Sequence, residues 1–183
     1  MRVLLLIRNP HFEIWLAASE IANGGRKEKK IREKKAAINL LELAGRDPKI
    51  DYTPEGKPFF NGNSEKISIS HTGNLISCAF SSNGEIGVDI ERFSPKAKLV
   101  GSKFLSSEEF KLTRTETDFT LFWSLKESAY KWYGKRSILF KEQIKIQSFD
   151  PVNRCAVIFL PLSDKKLIAG WEIIENHVIT WAQ

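Results

Sequence analysis

The chain has 183 residues, of which 42% are hydrophobic and 27% charged, the composition of an ordinary soluble globular protein built as one domain or two small halves. Its formal net charge of +6 is concentrated: seven basic residues between Arg26 and Lys35 face only Glu28 and Glu33, and the remainder is nearly neutral. No run reaches transmembrane length and no nucleic-acid-binding motif accompanies the basic segment, so neither a membrane span nor a nucleic-acid partner is expected.

The first apolar run, Val3 to Ile7, is too short for a signal peptide and reads as a buried strand. Phe12 to Trp15 continues the sheet, and Asn23-Gly24-Gly25 breaks it. A helix is expected from Lys27 to Ala44, with Ile31, Ile38, Leu40 and Leu41 buried and Gly45 as its stop. The basic run on this helix reads either as a solvated face or as a landing surface for an anionic partner. Strands follow at Ile50 to Phe60 (interrupted by the turn Pro54 to Pro58), Lys66 to Ser70 and Leu75 to Phe80. Asn83-Gly84 leads into a further strand, Ile86 to Glu91.

A helical region opens at Ser106, where Ser106-Ser107-Glu108-Glu109 resembles an N-cap with acidic first-turn residues. A longer helix runs from Asp118 to Tyr133, ended by Gly134, with Leu121, Phe122, Leu125, Ala129, Trp132 and Tyr133 as its core stripe. The rest is strand-rich: Ile144 to Phe149, Ala156 to Leu160, Leu167 to Ile174 and Val178 to Trp181, with Asn176 in the last turn. This order predicts an α+β fold with largely antiparallel sheets. Cys78 and Cys155 lie in apolar, strand-like settings and read as reduced core thiols of a cytoplasmic protein.

Two places carry candidate chemistry. In the strand from Ile86, alternation turns Val88 and Ile90 one way and Asp89 and Glu91 the other, with Gly87 leaving room for a ligand on the carboxylate face. On the long helix, Glu127 and Lys131 are four residues apart on the face away from the core stripe. A plain surface ion pair accounts for the second pattern, and solvent-facing acids account for the first. The alternative is a hard-cation site of Asp89, Glu91 and Glu127 beside a lysine, which suits chemistry on a pyrophosphate.

The segments Ile86-Gly87-Val88-Asp89-Ile90-Glu91 and Phe122-Trp123-Ser124-Leu125-Lys126-Glu127-Ser128-Ala129-Tyr130-Lys131 together resemble the paired signature of the 4′-phosphopantetheinyl transferases, in particular the monomeric, surfactin-synthetase-activating type. Gly56-Lys57-Pro58, Ser68-Ile69-Ser70-His71-Thr72-Gly73 and Phe104 to Phe110 are similar to further family segments, so the resemblance spans about residues 50 to 135.

The resemblance implies transfer of the phosphopantetheine arm of coenzyme A to a serine of an apo acyl or peptidyl carrier protein, with release of 3′,5′-ADP. It implies Mg²⁺ or Mn²⁺ held by Asp89, Glu91 and Glu127, with Glu127 as base and Lys131 as the acid on the phosphate side. It places Glu109 as an assisting acid, with Glu108 next to it as an alternative register. Lys57, Ser70 and His71 become nucleotide and phosphate contacts, and Lys126 reaches phosphate as well. It also implies two similar α+β halves related by a pseudo-two-fold, about 1–84 and 85–183 in one compact monomer. The family's 3′-phosphate arginine falls at about Ala37, with Lys34 or Lys35 as substitutes. Lys131→Ala and Asp89→Ala are expected to spare the fold, neither residue being expected in the core. A homologue that binds coenzyme A or a carrier without transfer is the alternative, and a basic nucleic-acid module is a third.

Overall fold

The structure, a computed structural model, describes residues 3–18 and 25–183; Asn23 and Gly24 of the expected break lie outside the described residues. It is α+β and divides into two compact units, Met1–Ile86 and Gly87–Gln183.

Among its described residues, the first unit has a six-stranded antiparallel sheet and one helix. Its strands are β1 (Val3–Arg8), β2 (Phe12–Ala18), β3 (Ile50–Tyr52), β4 (Pro58–Phe60), β5 (Lys66–Thr72) and β6 (Leu75–Ser81), in the order β1-β2-β6-β5-β4-β3. Helix α1 (Arg26–Leu43) covers it, packing Ala36, Ala37, Leu40 and Leu41 with Phe60, Ile67, Ile76 and Phe80. Ile31, expected inside, is 61% exposed. Small alanines let the helix sit close to the sheet, so the contact runs through its second half. Gly45 stops the helix at φ 71°, donating to the Glu42 carbonyl while Arg46 N–H donates to the Leu41 carbonyl, a paired C-terminal cap that suits glycine's freedom at positive φ. The Arg46 guanidinium then bridges Glu13 at 2.9 Å and Glu65 at 3.1 Å and lies 4.5 Å over the Phe80 ring. The helix end is thereby tied to the sheet.

The second unit carries β7 (Gly87–Arg92), α2 (Pro95–Leu99), α3 (Gly101–Phe104), α4 (Ser107–Leu112), α5 (Glu116–Tyr133), α6 (Phe140–Gln143), β8 (Lys145–Asp150), β9 (Cys155–Leu160), β10 (Lys165–Ile174) and β11 (His177–Ala182). Its five strands are antiparallel in the order β7-β11-β10-β9-β8. Helix α5 lies across β7, β11 and β10. Its Phe122, Leu125 and Ala129 join Ile158, Leu167, Ala169 and Val178 in an apolar core. Capping boxes open both α4 (Ser106 with Glu109) and α5 (Thr115 with Asp118).

Three sequence expectations need correction here. Helix α5 buries polar as well as apolar residues, Thr120, Ser124, Lys126 and Ser128 among them, and Glu127 and Lys131 are half-buried, so the side away from the apolar stripe is largely covered. Gly87 makes room for the helix, not for a ligand: a Cβ on it would stand 1.9 Å from the Ser128 carbonyl oxygen and 2.6 Å from the Trp132 nitrogen. Cys78 is buried, but Cys155 is exposed at the start of β9. Among the described residues, no helix is long and apolar enough to cross a membrane.

Candidate active site

The close approach that Gly87 allows brings the acidic strand β7 against α5. Asp89 is 4% exposed, in a strand buried from Gly87 through Ile90. Its Oδ1 accepts from Lys131 Nζ at 2.8 Å and its Oδ2 from Ser124 Oγ at 2.8 Å. A polar group this deep costs free energy unless it is hydrogen-bonded, and both oxygens of Asp89 are. Lys131 thus pairs with the strand across from it, and the expected surface pair with Glu127 gives way to a part-buried contact between elements.

Glu91 and Glu127 complete the acidic group. Glu91 is half-buried and accepts from Trp123 Nε1 at 3.3 Å. Burial, then the charge of Asp89, raises its pKa above the usual carboxylate range. Glu127, also half-buried, is pushed up to about 7 by burial, with the charges of Asp89 and Glu91 adding to the rise and Lys131 opposing it. Three carboxylates near one ammonium leave an excess of negative charge, which a cation or a proton must offset. Oxygen-only donors of this charge suit a hard divalent ion. Among the described residues, no three such groups are gathered round one point as a finished metal cage.

Lys126 and Glu109 belong elsewhere, which corrects their expected roles. Lys126 is fully buried and commits its ammonium to the Phe104 carbonyl (2.8 Å), the Phe140 carbonyl (3.0 Å) and Glu109 Oε2 (2.7 Å). Three donors meet three acceptors, and none remains for a phosphate. Glu109, 2% exposed, also accepts from the Ser106 and Ile146 backbone N–H groups. Burial pulls the Lys126 pKa down while Glu109 pushes it back up. This pair braces the ends of α3, α4, α6 and β8 against α5. Glu108, the alternative register, is exposed.

The remaining expected contacts lie in the first unit. Lys57 pairs with Glu85 at 2.6 Å, and Lys66 reaches the same carboxylate at 3.5 Å. His71 Nε2 lies 2.8 Å from Glu33 on α1. Ser70 is buried on β5 beside it. Lys34 and Lys35 are exposed on α1 with Lys27, Lys29 and Lys30, while the Arg26 side chain lies outside the described residues. Lys34 lines a groove of about 700 Å³ with Ala37, Ile38, Tyr52 and Asn61. Ala37 itself packs in the core at 5% exposure and borders the same groove.

Sequence reasoning passed over Ser124 and Thr180. Ser124 is wholly buried, and its oxygen lies 3.0 Å from Thr180 Oγ1, which also donates to the Ser124 carbonyl at 2.8 Å. The readable signal was a serine on the core side of α5, where an apolar residue would pack more cheaply.

The family model for the 4′-phosphopantetheinyl transferase superfamily matches residues 85–182. Curated relatives include the 4′-phosphopantetheinyl transferase HetI of a Nostoc species, 31% identical over 110 residues (54% of this chain, 46% of the relative). The 4′-phosphopantetheinyl transferase Sfp of Bacillus subtilis is 39% identical over 75 residues (38% of this chain, 33% of the relative). The 4′-phosphopantetheinyl transferase AcpT of Salmonella typhi is 32% identical over 98 residues (50% and 48%). In each case the match spans less than half of the relative's length. The matched residues take in the second unit up to Ala182, with its acidic strand and the helix that carries Glu127 and Lys131, and the chain belongs to the 4′-phosphopantetheinyl transferase superfamily.

Proposed function

We propose that this chain transfers the 4′-phosphopantetheine arm of coenzyme A to a serine hydroxyl of an apo acyl or peptidyl carrier protein, releasing 3′,5′-ADP. The observation that carries this reading is the Lys131–Asp89 ion pair beside Glu91 and Glu127, borne on the two signature segments of the superfamily. The serine oxygen bonds to the phosphorus that carries the pantetheine arm. The bond from that phosphorus to the bridging oxygen breaks, and its electron pair leaves on 3′,5′-ADP.

Glu127 takes the serine proton. Its half-buried carboxylate, among the charges of Asp89, Glu91 and Lys131, is the acceptor for that proton. Lys131 offsets charge on the departing phosphate and supplies its proton. Asp89, Glu91 and Glu127 would hold Mg²⁺ or Mn²⁺, and when bound the ion neutralises pyrophosphate oxygens. In the first unit, Lys57, Ser70, His71, Lys34 and Lys35 serve the nucleotide and its phosphates. Lys57 and His71 each hold a carboxylate already, from Glu85 and Glu33, which a phosphate of the ligand replaces. On this reading the two units are the two similar halves of a cytoplasmic monomer.

Intact-mass measurement of an apo carrier protein, incubated with the chain, coenzyme A and Mg²⁺, tests the reading. A gain of one phosphopantetheine is expected on the carrier. Binding of coenzyme A in calorimetry with no mass gain on several carriers would instead identify a non-transferring homologue.

A further inference from the structure

Asp89 is surrounded by groups that fix more than its charge. β7 and β11 pair so that Asp89 faces Thr180 across the ladder, and α5 lays Ser124 over both. Ser124 and Thr180 are each 0% exposed, within a unit whose core is otherwise lined by Phe122, Leu125, Ala129, Ile158 and Val178. A buried hydroxyl costs free energy unless it is hydrogen-bonded. Here every hydroxyl proton has a place.

The protons can be followed one by one. Ser124 Oγ donates to Asp89 Oδ2 at 2.8 Å, and this bond takes the single hydroxyl proton of Ser124. The single proton of Thr180 goes to the Ser124 carbonyl at 2.8 Å, and its oxygen stays 3.0 Å from Ser124 Oγ. Thr180 thus holds Ser124 through its backbone carbonyl, and Ser124 holds one oxygen of Asp89. The other oxygen, Oδ1, is left on the side of Lys131.

We propose that Ser124 and Thr180 are positioning residues that lock the Asp89 carboxylate with Oδ1 turned toward Lys131 and the acidic group, so that this oxygen alone is offered to a divalent cation and its phosphate. The inference rests on the reading of Asp89 as a cation ligand. It assigns the buried serine of the helix signature a duty distinct from packing: it selects the oxygen and the angle that Asp89 presents. Hydrogen bonds to a ligating carboxylate of this kind typically set metal affinity by about 10–100-fold.

The test uses the full chain with Ser124→Ala, Ser124→Cys and Thr180→Val, and Asp89→Asn as the control that removes the ligand charge. Mn²⁺ affinity is measured directly by electron paramagnetic resonance in the absence of coenzyme A. Transfer rates are then measured against Mg²⁺ concentration, and thermal unfolding is followed in chelator. Ser124→Ala is expected to weaken Mn²⁺ binding by about 10-fold or more. Its transfer rate recovers as Mg²⁺ is raised, because the ligand itself is retained. Thr180→Val shifts affinity in the same direction by less, since it acts through Ser124. Ser124→Cys, nearly isosteric with a weak donor, falls between wild type and Ser124→Ala and keeps the test open if alanine impairs folding.

Unchanged Mn²⁺ affinity in folded Ser124→Ala or Ser124→Cys, with only a lower unfolding temperature, overturns the proposal and leaves the two hydroxyls a structural role. Wild-type protein that binds no Mn²⁺ yet transfers the arm in Mg²⁺ overturns it as well. Wild-type protein that neither binds the ion nor transfers removes the underlying reading of Asp89, an outcome distinct from loss in the variants alone.

Discussion

Lys131 Nζ stands 2.8 Å from Asp89 Oδ1, joining α5 to β7 across 42 positions of sequence. The lysine is 24% exposed in its side chain and the aspartate 5%, so the ammonium is the solvent-side partner of a buried carboxylate. That arrangement lets Lys131 exchange Asp89 for a phosphate without itself entering the core. Lys131→Ala should lower the transfer rate by about 10²–10⁴-fold, the usual span for a positioned proton donor. Lys131→Arg should keep the charge but transfer poorly, because the broader guanidinium does not release a proton. Steady-state rates of carrier modification check both.

Asp89→Ala carries a cost that the sequence alone did not indicate. Asp89 lies in the core and accepts from Ser124, so its removal leaves a buried hydroxyl and an ammonium without their partner. The expected loss is about 1–3 kcal/mol of stability along with loss of transfer. Urea unfolding measures the first and the carrier assay the second. Asp89→Asn, which can still accept from Ser124, should be closer to wild type in stability.

Lys126 and Glu109 separate a structural lysine from a phosphate-binding one. Lys126→Met takes the counter-ion from the buried Glu109, which keeps only its two backbone N–H donors, and should cost about 3–5 kcal/mol. The double variant Lys126→Met with Glu109→Leu should recover part of that loss, because no lone charge remains. Coenzyme A affinity of the folded fraction, measured by calorimetry, should stay within about twofold of wild type in the double variant, well under the 1.4 kcal/mol that a tenfold change represents. A tenfold loss of affinity would reinstate Lys126 as a phosphate contact.

Much of this was legible in the sequence, and the gaps have physical causes. Strands β5, β6 and β7 and helix α5 were readable because each repeats its apolar period over several residues. Helices α2 and α3, with five and four residues, are too short to show a period. Lys126, Glu127 and Lys131 look alike in sequence, as polar residues on a helix, yet Lys126 is sealed in while the other two are half-buried. What separates them is that α3, α4, α6 and β8 close over one side of α5, a tertiary fact absent from helical periodicity. Ile31 shows the opposite case: it is bulky yet exposed, and the small Ala36 and Ala37 are among the buried residues of the helix.

Glu127 gives a pH dependence with a definite sign. Its pKa rises from 4.5 to about 7 in the folded chain, so the folded state favours the protonated acid. The stabilisation is fully present below the unfolded value of 4.5 and is lost as pH rises through about 7. In chelator, thermal stability should therefore fall between about pH 5 and pH 8, by roughly 1–3 kcal/mol after allowing for the partial exposure of the group. Glu127→Gln should flatten that slope, and Mg²⁺ should flatten it in wild type by binding the ionised form. Calorimetric unfolding across this pH range, with and without Mg²⁺, measures both effects.

Gly87→Ala tests whether the site depends on the approach of β7 to α5. The added methyl meets the Ser128 carbonyl oxygen at 1.9 Å, a clash that backbone movement alone can relieve. A loss of about 1–3 kcal/mol or more is expected, with a transfer rate reduced beyond the fraction unfolded because Asp89 moves from Lys131.

The most direct test of the account is the intact mass of an apo carrier protein after incubation with coenzyme A, Mg²⁺ and either wild-type chain or Lys131→Ala. The account predicts that wild type adds one phosphopantetheine per carrier with matching release of 3′,5′-ADP, and that folded Lys131→Ala adds it at least about 10²-fold more slowly. Equal modification by both proteins would contradict the assigned role of the Lys131–Asp89 pair, and no modification of any carrier by folded wild type would contradict transfer itself.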